Sequence, residues 1–298
     1  MSGRRGHATL VFAILSVGVV IGILLVCRFA ASLAWHFHRQ AAADAAALAA
    51  AQATAAHLNA IETLQEQAAE DLARAAFARQ VCAAASILSA AGTQQAQAPS
   101  GLEDLAKNAR QACEAAREQR TAGRFEDTAT ALLARAAELD RSRGDAAMQA
   151  AQQALPPGRW RPVEVDPAAL APSEPDEDLL WDLAWPTLDR LTRQSAFAGA
   201  TTPQGRRAWE RLLDGAHLEL SQLCRAAGPL MSTEDPGDLV VHIRVEPVPR
   251  GGQTLLLPGA AGSARATAII RRTGQDAEER RSWRYLLAPD PPRARSTP

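Results

Sequence analysis

The residues with chemistry for nucleophilic attack, metal ligation or proton transfer are scattered: four cysteines, six histidines and 33 acids in 298 positions. No C-x-x-C, H-E-x-x-H, G-x-S-x-G or Walker-type glycine loop is present, and Gly251 with Gly252 reads as a turn before a strand. His36 and His38 can share a metal only if their helix is broken, and beside Trp35 they read as interfacial residues. His57, His217 and His242 lack the spacing of helical metal ligands, and acid clusters such as Glu70 with Asp71 read as solvated faces or helix starts. No catalytic residues, metal ligands or cofactors are assigned. A discontinuous site stays open, because a fold can gather distant carboxylates around a histidine.

The cysteines carry more information. Cys82 and Cys113 lie in successive expected helices, about equally far from the middle of the loop between them. An antiparallel hairpin brings them to similar height, where an oxidising compartment can join them. The alternative is two buried, alanine-sized thiols. Cys27 falls in an apolar run, and Cys224 has no obvious partner.

The elements that position these residues begin with that run. Thr9, Leu10, Val11 and Phe12 open an uncharged stretch that reaches Cys27, 19 residues or ~28 Å as a helix, close to the ~30 Å hydrocarbon core of a bilayer. Arg28 can snorkel to the headgroups and Trp35 can sit at the interface. Arg4 and Arg5 precede the run, which predicts a cytoplasmic N-terminus, a single crossing of the inner membrane and an extracytoplasmic remainder. A cleaved secretory signal is the competing reading, although its apolar region is usually shorter. The net charge of −1 gives no general electrostatic reason to expect nucleic acid as a partner.

The expected fold is α+β: a transmembrane helix continuing into a long alanine-rich helix, a helical hairpin or bundle, and a small C-terminal antiparallel sheet. Between Gly22 and Gly92 there is neither glycine nor proline, so the span should run on as one helix. Ser100, with Glu103 three residues on, has capping-box spacing for a second helix to about Arg120. A third is expected over 125–155, with Gly144 as a weak point. Glu164 to Glu177 has linker composition, and two further helices follow, one opening at Pro186. After Gly237, DLVVHIRVEPV, TLLLP, ARATAIIRR and SWRYLLA read as strands. The segments are a head and anchor over 1–38, an extracytoplasmic helical region over 39–158, an α+β region over 159–288 and a disordered tail over 289–298.

The head RRG (Arg4 to Gly6), the opening ATLVFA (Ala8 to Ala13) and the exit RQAAADAAALAAA (Arg39 to Ala51) resemble the N-terminal segment of the TadE/TadG-like proteins of tight-adherence (Flp, type IVc) pilus assembly. The likeness covers about the first 65 residues. A processed pseudopilin of that kind carries glutamate at its fifth mature position; counted from His7 that position is Val11, so the resemblance is closer to the TadG-like branch, whose anchor stays uncleaved. The D-x-S-x-S motif of that branch's metal-adhesion domain is missing from this sequence.

The resemblance implies a non-enzymatic, pseudopilin-like envelope component. Its partners would be the bilayer, other pilus or secretion-system envelope proteins, and other copies of itself. Asp44, Ala46, Leu48 and Ala50 would lie on the packing face, because thin side chains let helices approach closely. Asp44 would pair with Arg39 or a partner's base, or stay solvated. The rival expectations are a membrane-anchored sensor or ligand-binding module, and an exported hydrolase built around His217 or His242.

Overall fold

The computed structural model describes residues 3–94, 100–165, 175–176, 178–195, 197–198, 200–231, 239–248, 263–273 and 282–287. The expected strand TLLLP (254–258) and the tail 289–298 lie outside the described residues, as do the side chains of residues 3–11 and of Ser100. The helices are α1 (Gly3–Gln94), α2 (Ser100–Gly123), α3 (Phe125–Ala154), α4 (Leu179–Arg193) and α5 (Pro203–Ala227). The strands are β1 (Trp160–Val165), β2 (Pro175–Asp176), β3 (Leu230–Met231), β4 (Leu239–Pro247), β5 (Ala264–Thr273) and β6 (Ser282–Leu287). The α+β class holds, with one long N-terminal apolar helix, five helices in all among the described residues and a small antiparallel sheet.

Contacts divide the chain into two units that interleave along the sequence. The first comprises Met1–Ala55, Gly144–Leu170 and Gly237–Pro298; the second comprises Ala56–Arg143 and Ala171–Pro236. Both α1 and α3 contribute to each.

In the first unit the antiparallel sheet runs β1-β4-β5-β6. Val241, Ile243 and Val245 of β4 alternate inward, and they pair with Ala268, Ala266 and Ala264 of β5, which are also buried. Large residues on one strand thus face small ones on the next, leaving β5 low enough for a helix to approach. The helices of this unit supply the matching surface: Ala43, Ala46, Ala47, Ala50 and Ala51 of α1 and Ala147 and Ala151 of α3 are completely buried. The Gln40 amide reaches the Arg265 backbone carbonyl of β5 at 3.1 Å, as close approach through alanine permits.

Two local expectations are corrected around the first unit. β1 fills residues between the expected third helix and the expected linker and takes the first two residues of that linker; it is an edge strand with a register shift between Pro162 and Glu164, where proline costs no ladder bond. Gly158, at φ 68°, makes the turn from α3 into β1 in a conformation that favours glycine. Of the expected linker, Glu164 and Val165 belong to β1, Pro175 and Asp176 pair with β3, and 166–174 and 177 lie outside the described residues.

The second unit is helical. Leu72, Leu180, Leu188 and Leu220 anchor one apolar cluster, and Val81, Leu88, Leu102, Phe197 and Leu212 anchor another. Pro186 does not open α4 but lies inside it. Its ring is exposed, so the missing hydrogen bond falls on the solvent side, while Leu179, Leu180, Ala184, Thr187 and Leu188 hold the buried face. Gly144 does not break α3, which is continuous. Thr202 caps α5, its hydroxyl accepting from the Gly205 N–H at 3.1 Å.

Candidate functional site

Residues 12–34 of α1 are exposed on every side although they are almost wholly apolar. Phe12 is 77% exposed, Val26 67% and Phe29 72%, so no face of this helix is turned into protein. At 1.5 Å per residue the stretch rises ~33 Å, and by length and composition it can cross a membrane. Cys27 and Arg28 are exposed within it. Thr9, Leu10 and Val11 lie in the helix ahead of it, their side chains outside the described residues.

At the exit of this stretch the environment changes within two turns. Trp35 is half-buried and packs on Trp160, ring centroids 5.0 Å apart. His36 accepts from the Arg39 guanidinium at 3.2 Å. Asp44 is half-buried and accepts from the Gln40 amide at 2.9 Å, so its described partner is an amide rather than Arg39. Ala46 and Ala50 are sealed inside the first unit and Leu48 is half-buried. The alanine face is therefore covered within this chain, in the unit that also holds the sheet and the end of α3, where the sequence left open whether a neighbour covered it.

In the second unit Cys82 and Cys113 form a disulfide, Cα atoms 4.7 Å apart, at the height the hairpin reading required. Cys224 is a buried free thiol, and burial alone pushes its pKa up to about 11. Near these lies an ion-pair cluster that the sequence did not disclose: Arg79 of α1 bridges Glu219 of α5 and Glu126 of α3. Burial works against the Arg79 charge, but Glu219 and then Glu126 outweigh it, and its pKa is raised above the ordinary value. Arg79 and Glu219 stand 140 positions apart, a separation at which no local pattern signals pairing.

A half-open groove of about 450 Å³ runs between α1, α3 and the end of α5. Ile61, Leu72, Leu133, Leu223 and Leu230 make it largely apolar, with Gln65, Glu126 and Asp140 among the polar lining residues. Both carboxylates already face arginines: Glu126 meets Arg79, and Asp140 lies 3.6 Å from Arg143. Burial lowers the Arg143 pKa, with Asp140 opposing. No histidine or cysteine is among the lining residues.

The histidines stay apart. His217 stands edge-on to Trp185 at 4.3 Å and to Trp181 at 5.8 Å, while His242 bonds the Thr267 hydroxyl at 2.9 Å. Among the described residues no three His, Cys, Asp or Glu side chains cluster as metal ligands. The Trp181, Trp185 and His217 group was missed as well; the W-x-x-x-W spacing on α4 was its visible half, since four residues return to the same helix face. Compared with protein-family models, with curated proteins and with solved structures, the chain matches none.

Proposed function

We propose that this protein is a non-enzymatic, single-pass envelope component that helps assemble or anchor a tight-adherence-type pilus or a related secretion apparatus. Its N-terminus is cytoplasmic, its anchor lies in the inner membrane, and both folded units are extracytoplasmic. The observation that carries the reading is the apolar helix exposed on all sides over residues 12–34, which continues without a break into folded structure. The Cys82–Cys113 disulfide fits an oxidising compartment, and the TadE/TadG-like head and exit residues supply the assembly context.

The test uses native membranes. Alkaline carbonate should leave the intact chain in the pellet, and protease added to spheroplasts should remove everything beyond about residue 40. Release by carbonate, or a mature N-terminus near Trp35, overturns the anchor. One observation favours a second reading as a ligand-binding module, namely the half-open apolar groove of the second unit. Deleting the gene separates the two, because the assembly reading requires loss of piliation and the ligand-binding reading leaves it intact.

A further inference from the structure

One end of the first unit's sheet is tied to the helix where it leaves the apolar stretch. Trp160 opens β1 and packs on Trp35. Arg265, at the start of β5, accepts from Gln40 through its backbone carbonyl. Gln40 is five residues, or ~7.5 Å, beyond Trp35 on α1. The end of β4 belongs to the same place, since Trp160 pairs with Pro247 and the Val248 N–H donates to the Arg159 carbonyl at 3.0 Å. Three strand termini therefore lie within about a turn and a half of the residue that marks the end of the span.

Among the described residues at this end the arginines outnumber the acids, which are Glu246 and the half-buried Asp44, held by the Gln40 amide. Arg28, Arg159 and Arg265 are exposed and have no carboxylate partner among the described residues. Arg39 donates to a histidine rather than to an acid. Arg161 faces Glu246 only at 3.7 Å, and Glu246 is shared with Arg244 at 3.1 Å. A bilayer's polar region adds roughly 5–7 Å on each side of its hydrocarbon core. Arg28 can snorkel up into that layer, and the guanidinium groups at the strand ends can reach down to it.

We propose that this end of the sheet rests on the membrane surface and takes the phosphate headgroups of anionic phospholipids, with Arg28, Arg39, Arg159 and Arg265 as the cationic contacts. Guanidinium suits the partner because its planar donor fork matches two phosphate oxygens at once. The proposal rests on the membrane-span reading, and it adds that the first unit is seated on the bilayer as well as anchored through it.

The test reconstitutes the full-length protein in lipid nanodiscs, one set of phosphatidylcholine alone and one with phosphatidylglycerol added, and follows amide hydrogen exchange. Peptides covering 159–165 and 263–268 should exchange several-fold more slowly in the anionic discs. That protection should fall in high salt, which shortens the Debye length to a few ångströms. It should also disappear in the double variant Arg159→Gln/Arg265→Gln, while peptides of α4 and α5 are unchanged in every sample. Equal exchange in both lipids, with the protein still in the discs, overturns the headgroup contact and leaves the anchor standing. Failure of the protein to enter either disc overturns the anchor and the headgroup contact together.

Discussion

Replacing Ala46 and Ala50 by leucine should unfold the first unit locally, whereas the same change at Ala41 and Ala45 should do little. Ala46 and Ala50 have no exposed surface, and they lie one turn apart on the helix face that the sheet covers; Ala41 and Ala45, also one turn apart, are exposed. Each buried leucine brings three extra carbons into a filled space, and such overpacking typically costs about 1–3 kcal/mol. The two sites are neighbours and need not add, so the pair should cost about 2–5 kcal/mol. At about 1.4 kcal/mol per factor of ten, the opening equilibrium of β4 and β5 should rise by roughly 30-fold to a few thousand-fold. The exposed pair should stay within about 0.5 kcal/mol of the parent protein. Because the chain has two units, a single denaturation midpoint mixes them, and peptide-level hydrogen exchange is the suitable assay. Unchanged protection of β4 and β5 in the buried double variant would refute the conclusion that the sheet covers the alanine face.

Breaking the Cys82–Cys113 bond by Cys82→Ser with Cys113→Ser should destabilise the second unit by about 3–4 kcal/mol under the loop-entropy relation for a separation of 31 residues, read as a lower urea midpoint of that unit; an unmoved midpoint contradicts it. Cys224 titrates near 9.0 when free and at about 11 when folded, so the folded state holds its proton longer, and the stability from this thiol is complete below pH 9 and lost as pH rises towards 11. Up to ~2 kcal/mol of alkaline destabilisation should therefore vanish in Cys224→Ala; an identical slope between pH 9 and 11 in both proteins would count against it. Gly205→Ala should cost about 1–3 kcal/mol in thermal denaturation despite alanine's better helix propensity, because the new methyl would sit 2.6 Å from the Ala200 Cβ and 2.9 Å from the capping Thr202 hydroxyl.

The parts of this fold that were legible in the sequence are those set by local rules. The glycine-free and proline-free run marked α1, period-two alternation marked β4, runs set off by turns or polar stretches marked β5 and β6, and equal distances from a loop made the disulfide one of two readings. Pro186 and Gly144 misled for a shared reason: each is a breaker by intrinsic preference, and burial of the surrounding apolar face overrode it. Strand β1 was hidden because Pro162 is excluded only from central strands, and whether a strand is an edge depends on partners 80 residues away. The Arg79 cluster and the Trp185–His217 contact join distant helices, so their signal lies in the tertiary contacts alone.

The alanine helix that prompted the pilus resemblance meets a different requirement once β5 is placed beside it. Alanines on α1 and alanines on β5 are buried within one unit, and the Gln40 side chain reaches the β5 backbone itself. A helix face used in this way is no longer open to a neighbouring subunit. If this protein joins an assembly in the membrane, its contacts must come from the exposed span or from surfaces other than Ala46 and Ala50, unless the sheet first leaves the helix. The two cases differ in a crosslinking experiment on native membranes. Probes in the span, such as Cys27, should capture neighbours in the assembled state, whereas a cysteine at Ala46 should capture none until the sheet is displaced. Efficient capture from position 46 in the folded protein would mean that the sheet is detached in the working state.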